Sequence, residues 1–121
     1  MRTKQVKIID IGAEGGCITL HGWKEDGEWW FQREVNEMAL DDEDVADLSL
    51  WHKTGSVRGW DKALQILSKY PWQCLYPLYV HPEFAELVMS EVEKAVKERA
   101  DGNYIRIKDW QEVCSGKSRF Q

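Results

Sequence analysis

Between Cys17 and Trp23 the side chains alternate, with Ile18, Leu20 and Gly22 pointing one way and Cys17, Thr19, His21 and Trp23 the other. That period of two belongs to a strand with two distinct faces. The preceding run, Val6 to Ile11, is rich in Val and Ile and ends at Gly12, so it reads as a strand entering the Glu14-Gly15-Gly16 turn. A third run, Glu28 to Val35, places Trp29, Phe31, Arg33 and Val35 on one face and Trp30, Gln32 and Glu34 on the other. Asp26-Gly27 supplies the hairpin turn before it. The first third of the chain is therefore expected to be a three-stranded meander.

The period then changes. From Leu48 to Val57 a short strand and irregular structure both remain open, because Leu48 and Leu50 alternate but Thr54-Gly55-Ser56 breaks the run. Ala63, Leu64, Ile66, Leu67 and Tyr70 repeat at helical spacing, which predicts a helix over 60–70 with Asp61 in its first turn and Pro71 at its end. Cys74 to Val80 is apolar but interrupted by Pro77, so it is expected as an edge strand or extended connector. His81-Pro82-Glu83 has the composition of a helix start. Phe84, Leu87, Val88, Val92, Ala95 and Val96 form the apolar face of the longest helix, with a stop at Asp101-Gly102. Tyr104, Ile105 and Ile107 suggest a short strand, Lys108 to Cys114 a last turn or helix, and residues 115–121 a polar tail. The expected fold class is α+β: three or four antiparallel strands packed by two main helices and a short C-terminal element.

Composition narrows the function classes. The 121 residues suit one domain spanning 1–121. A hydrophobic share of 43% with 31% charged residues fits a folded, soluble chain. No apolar run reaches the ~18 residues of a membrane span, and the start Met-Arg-Thr-Lys-Gln-Val-Lys lacks a secretory core, so a cytoplasmic protein with no membrane partner is expected. Cys17, Cys74 and Cys114 are odd in number and widely spaced, which argues against a disulfide framework and a zinc ribbon. The net charge is −5, and Glu37, Asp41, Asp42, Glu43, Asp44 and Asp47 form an acidic run without a single Lys or Arg. Nucleic acid is disfavoured as a partner because basic residues are scattered. A basic protein fits better.

Several local patterns fall short of a chemistry. Ser115-Gly116-Lys117-Ser118 resembles the end of a phosphate-binding loop, but Gln111 stands where that loop needs its first glycine, and no helix has room to follow. Gly12 to Gly16 could form an anion-binding nest, yet Glu14 at its tip repels an anion and an ordinary hairpin turn explains the glycines. Cys17 and His21 share a strand face but are separated by ~13 Å along it, too far to share one metal. The run Asp41 to Asp47 lacks the alternating ligands and central glycine of a calcium loop. No metal and no cofactor is expected. Of the seven tryptophans, Trp29 and Trp30 must face opposite sides of the sheet. Trp30, with Trp23, has the composition of an interface anchor or, less well supported, a sugar platform.

At Gly12-Ala13-Glu14-Gly15-Gly16, at Trp60 with Ala63-Leu64 and Tyr70-Pro71-Trp72, and at Leu-Tyr-Pro-Leu-Tyr-Val-His-Pro-Glu-Phe over 75–84, the chain resembles a family of small, uncharacterised bacterial proteins. The resemblance spans roughly residues 6–98. It implies a bacterial cytosolic single domain and brings no activity, cofactor or catalytic residue with it. In size and acidity the chain is also similar to immunity proteins that neutralise toxins, a likeness of bulk properties rather than motif.

These observations lead to one expectation and two rivals. The expectation is a noncatalytic interaction module, in the manner of an immunity protein, in which Asp41, Asp42, Glu43, Asp44 and Asp47 steer a basic protein partner and Trp30 and Trp51 anchor it. The first rival is an enzyme or small-ligand binder with a site over the sheet drawn from Cys17, His21, His52 and His81. The second is a homodimer whose aromatic face is its own seam.

Overall fold

The computed structural model describes residues 1–13, 16–37, 56–67, 71–73, 76–98 and 105–116. Strand β1 runs Val6–Ala13, β2 Gly16–Glu25 and β3 Glu28–Glu37, the expected meander. Among the described residues, two further strands complete an antiparallel sheet: β4, only Val57–Arg58, and β5, Tyr76–Val80. The order across the sheet is β4-β3-β2-β1-β5. The α+β class is therefore as the pattern predicts, with five described strands in place of the three or four expected. β5 lies at the edge beside β1, where the missing amide of Pro77 breaks no ladder toward a further strand.

The β2–β3 hairpin turns at Asp26-Gly27, both at positive φ (51° and 83°), the conformation that a two-residue hairpin requires. β1 departs from simple alternation. Lys7 pairs with His21 and Ile9 with Leu20, so Ile8 is an extra, bulged residue. The bulge turns Ile8 inward as well, and Ile8, Ile9 and Ile11 are all fully buried.

Helix α1 spans Trp60–Ile66, α2 Ala85–Glu98 and α3 Ile107–Cys114. α1 packs on β3 and β4, and α3 on β5 and α2. Their apolar residues, including Ala63, Val88, Val92, Trp110 and Val113, join Ile9, Leu20, Phe31 and Val80 in one core cluster on a single face of the sheet. Trp110 is fully buried with its ring centroid 5.2 Å from that of Trp72.

Three expectations are corrected. α1 is shorter than 60–70: Leu67 is already extended (φ −70°, ψ 159°), and Pro71 opens a separate 3-10 turn, Pro71–Gln73. Ile107, expected in a strand, is the first residue of α3, whose start carries an Arg106–Asp109 ion pair across one turn. Leu87, expected on the buried stripe of the long helix, is 43% exposed at its margin. The helix start at His81-Pro82-Glu83 holds in detail: a 3-10 turn, Pro82–Phe84, leads into α2, and the Glu83 amide donates to His81 Nδ1 at 3.2 Å.

Candidate functional site

Two surfaces gather chemistry-bearing side chains. The first is a groove of about 390 Å³ where the β3–β4 end of the sheet meets α1 and α2. Its aromatic wall is set by three elements. Trp29 and Phe31 lie on the inward face of β3, Trp60 opens α1, and Phe84 closes the 3-10 turn before α2. Phe84 is the hub: its ring centroid is 5.0 Å from Trp29, 5.4 Å from Trp60 and 5.5 Å from Phe31. The Trp29 and Phe31 contacts are edge-to-face, as the ring quadrupoles favour. Gly59 joins β4 to α1 at φ 90° and ties the junction to β3 through its amide, which donates to the Trp29 carbonyl at 3.0 Å.

The groove has a charged mouth. Arg58 Nη1 donates to Glu28 Oε2 at 3.2 Å, and both side chains are more than half exposed. Leu87 completes the lining. Away from the mouth, Lys24 Nζ stands 5.2 Å above the Trp29 ring and 4.0 Å from Glu83 Oε2. Lys24 is the cation that rests on a ring of this wall.

The second surface is the sheet face opposite the helices. Trp30 lies there, in register with Trp23 on β2 and Arg58 on β4, and it is half-buried. Trp23 is 4% exposed, capped by the Arg2 guanidinium 4.2 Å from its ring, with Nε1 donating to Glu25 Oε1. Of the two indoles expected to form a patch, Trp23 is thus buried and Trp30 is the accessible one. Further along the same face, Thr19 Oγ1 donates to Asp10 Oδ1 at 3.0 Å, Lys7 Nζ pairs with Asp10 Oδ2 at 3.1 Å, and His21 Nε2 lies 2.9 Å from Glu34 Oε2.

Asp41, Asp42, Glu43, Asp44, Asp47 and Trp51, named from the sequence as partner-binding, lie outside the described residues, as do His52 and Cys74. Cys17 and His21 are on one face of β2, as expected, and His21 is engaged by Glu34 across the strands. His81 caps the turn before α2 and stacks edge-on against Trp29 and Phe84, a structural role for a residue considered as catalytic. Cys114 is half-buried, and burial pushes its thiol up to about 11, which leaves it protonated and unreactive at neutral pH. Among the described residues no three His, Cys, Asp or Glu side chains gather as a metal site.

Sequence reasoning missed the groove. Glu28, Arg58, Gly59 and Leu87 carry no motif, Phe84 reads as part of a helix's apolar face, and Trp60 enters only through the family resemblance. The one available signal was Leu87 itself, which sits beside Val88 at the edge of an apolar stripe wider than a single packing face needs. Compared with known protein families, curated proteins and solved structures, the chain matches none.

Proposed function

We propose that this chain is a noncatalytic protein-interaction module of the bacterial cytosol, which docks a basic protein partner through an acidic and aromatic surface in the manner of an immunity protein. The observation that supports this reading is the position of Trp30. It is a half-buried indole on the sheet face away from the helices, next to Trp23 and on the same face of β3 as the acidic side chain Glu34. A large, rigid, partly exposed aromatic ring on a face that also carries acidic side chains has the composition of an interface anchor. The acidic run that follows β3 in the chain, Asp41 to Asp47, supplies the long-range attraction that speeds encounter with a positively charged surface. Among the described residues no helix is long and apolar enough to cross a membrane, in keeping with a partner met in solution.

The test is kinetic. Partners are isolated by affinity capture and identified, and the association rate is measured at low and high salt for wild type, for D41N/D42N/E43Q/D44N and for Trp30→Ala. The quadruple variant is expected to slow association by about tenfold and flatten its salt dependence, and Trp30→Ala to speed dissociation. An association rate unchanged by the quadruple variant overturns the reading.

A further inference from the structure

We propose that the aromatic groove at the β3–β4 end of the sheet binds a free hydrophobic α-amino acid, its ammonium on Glu28, its carboxylate on Arg58 and its side chain against Trp29, Trp60, Phe84 and Leu87. This goes beyond the protein-partner reading and does not depend on it.

Size and lining define the first half of the ligand. A volume of about 390 Å³ lies at the small end of the ~300 to 1,000 Å³ typical of small-molecule sites. Away from Glu28 and Arg58 its wall is Trp29, Phe31, Trp60, Phe84 and Leu87, so the buried part of the ligand is apolar. Leu87, one of the few large apolar side chains left substantially exposed among the described residues, is covered when such a group enters.

The mouth defines the second half. Glu28 and Arg58 hold each other through one contact, Nη1 to Oε2 at 3.2 Å. A carboxylate has a second oxygen and a guanidinium has five donors, so Glu28 Oε1 and the rest of the Arg58 fork remain available. A ligand bearing only a cation competes with Arg58 for Glu28, and one bearing only an anion competes with Glu28 for Arg58. A zwitterion meets both without breaking the pair, completing an alternating ring of four charges. An α-amino acid carries its two charges on one carbon, at a separation that matches a carboxylate and guanidinium already in contact. Both receptors sit at the β3–β4 corner of the sheet, where the Gly59 amide is bonded to the Trp29 carbonyl.

The test is titration of the full-length protein with L-leucine, followed by tryptophan fluorescence and calorimetry. The expected result is a saturable emission change at millimolar concentration. 4-Methylpentanoate, which lacks the ammonium, and 3-methylbutylamine, which lacks the carboxylate, are expected to bind at least about tenfold more weakly, and glycine not measurably. Glu28→Gln and Arg58→Gln each weaken leucine binding at least about tenfold, whereas Arg2→Gln, over the Trp23 ring and outside the groove lining, leaves it unchanged. Because both groove-mouth side chains are exposed, these variants keep the wild-type melting temperature. No saturable change up to about 20 mM leucine overturns the proposal, as does equal binding of the two single-charge analogues. A dimer that Leu87→Asp dissociates, with no leucine binding in either form, overturns it too and assigns the groove to a subunit seam.

Discussion

Ile8 lies directly over Gly22: a methyl group at position 22 would stand 2.8 Å from Ile8 Cγ1 and 3.3 Å from Trp29 Cε3. The bulge at Ile8 creates this contact, because it turns inward a residue that strict alternation would point outward. Gly22→Ala therefore forces Ile8 off its rotamer or moves β1 away from β2. A loss of about 1 to 3 kcal/mol is expected in the urea midpoint. The double variant Gly22→Ala with Ile8→Ala, which removes the Cγ1 and Cδ1 atoms the new methyl meets, is expected to cost less than the sum of the two single variants.

Trp110 is fully buried, and its indole Nε1 has no hydrogen-bond partner. An unpaired buried donor opposes folding while the ring's contacts favour it. Trp110→Ala is expected to cost about 3 to 5 kcal/mol through the cavity beside Trp72. Trp110→Phe, which removes the orphaned N–H and keeps an aromatic ring, is expected to cost clearly less. Both variants lack the N–H, so chemical denaturation of the pair isolates the ring's packing, and equal losses would show that the ring's contacts do not hold this part of the core together.

Asp10 holds two groups at once on the outer sheet face, the Thr19 hydroxyl and the Lys7 ammonium. Thr19 is 5% exposed, so its hydroxyl depends on this carboxylate. Asp10→Ala leaves it without that partner and is expected to cost about 1 to 3 kcal/mol. Lys7→Met removes only an exposed ion pair and is expected to change stability by less than about 1 kcal/mol. Thermal melts of the two variants give the comparison.

The Cys114 thiol ionises near 11 because burial disfavours the thiolate. Its folded value lies above the unfolded one, so the native state binds the proton more tightly. This contribution is fully present below the unfolded value and is lost as pH rises through 9 toward 11. In a Cys17→Ser, Cys74→Ser background, alkylation by iodoacetamide at pH 8 is expected to be slow and to accelerate in denaturant. Rapid labelling of the folded protein at pH 8 would contradict it.

His81 Nδ1 accepts the Glu83 amide and its ring packs edge-on against Trp29 and Phe84. His81→Asn preserves a cap acceptor and loses the ring contacts, whereas His81→Ala loses both. The alanine variant is expected to be the less stable by about 0.5 to 2 kcal/mol in denaturant unfolding.

The meander was legible because its information is local. Alternation in 17–23 and 28–35 and the Asp26-Gly27 turn are properties of neighbouring residues, and they suffice to assign Trp29 and Trp30 to opposite faces. The helix start at His81-Pro82 was legible for the same reason, since Pro fixes its own φ and a cap acts within one turn. The Ile8 bulge was not, because a bulge exists only relative to a partner strand. Nor was the early end of α1 at Ile66, where local helical spacing persists to Tyr70.

By itself, then, the sequence determined the α+β class, the order of the main elements and which residues of each strand share a face, since these follow from periodicity and turn chemistry. Only the tertiary structure decided that Trp23 is buried under Arg2 while Leu87 stays exposed. It alone brought Glu28 and Arg58, thirty residues apart, to 3.2 Å at the mouth of an aromatic groove. Burial and juxtaposition depend on what other segments pack against a residue, and that is a property of the whole fold rather than of any stretch of chain.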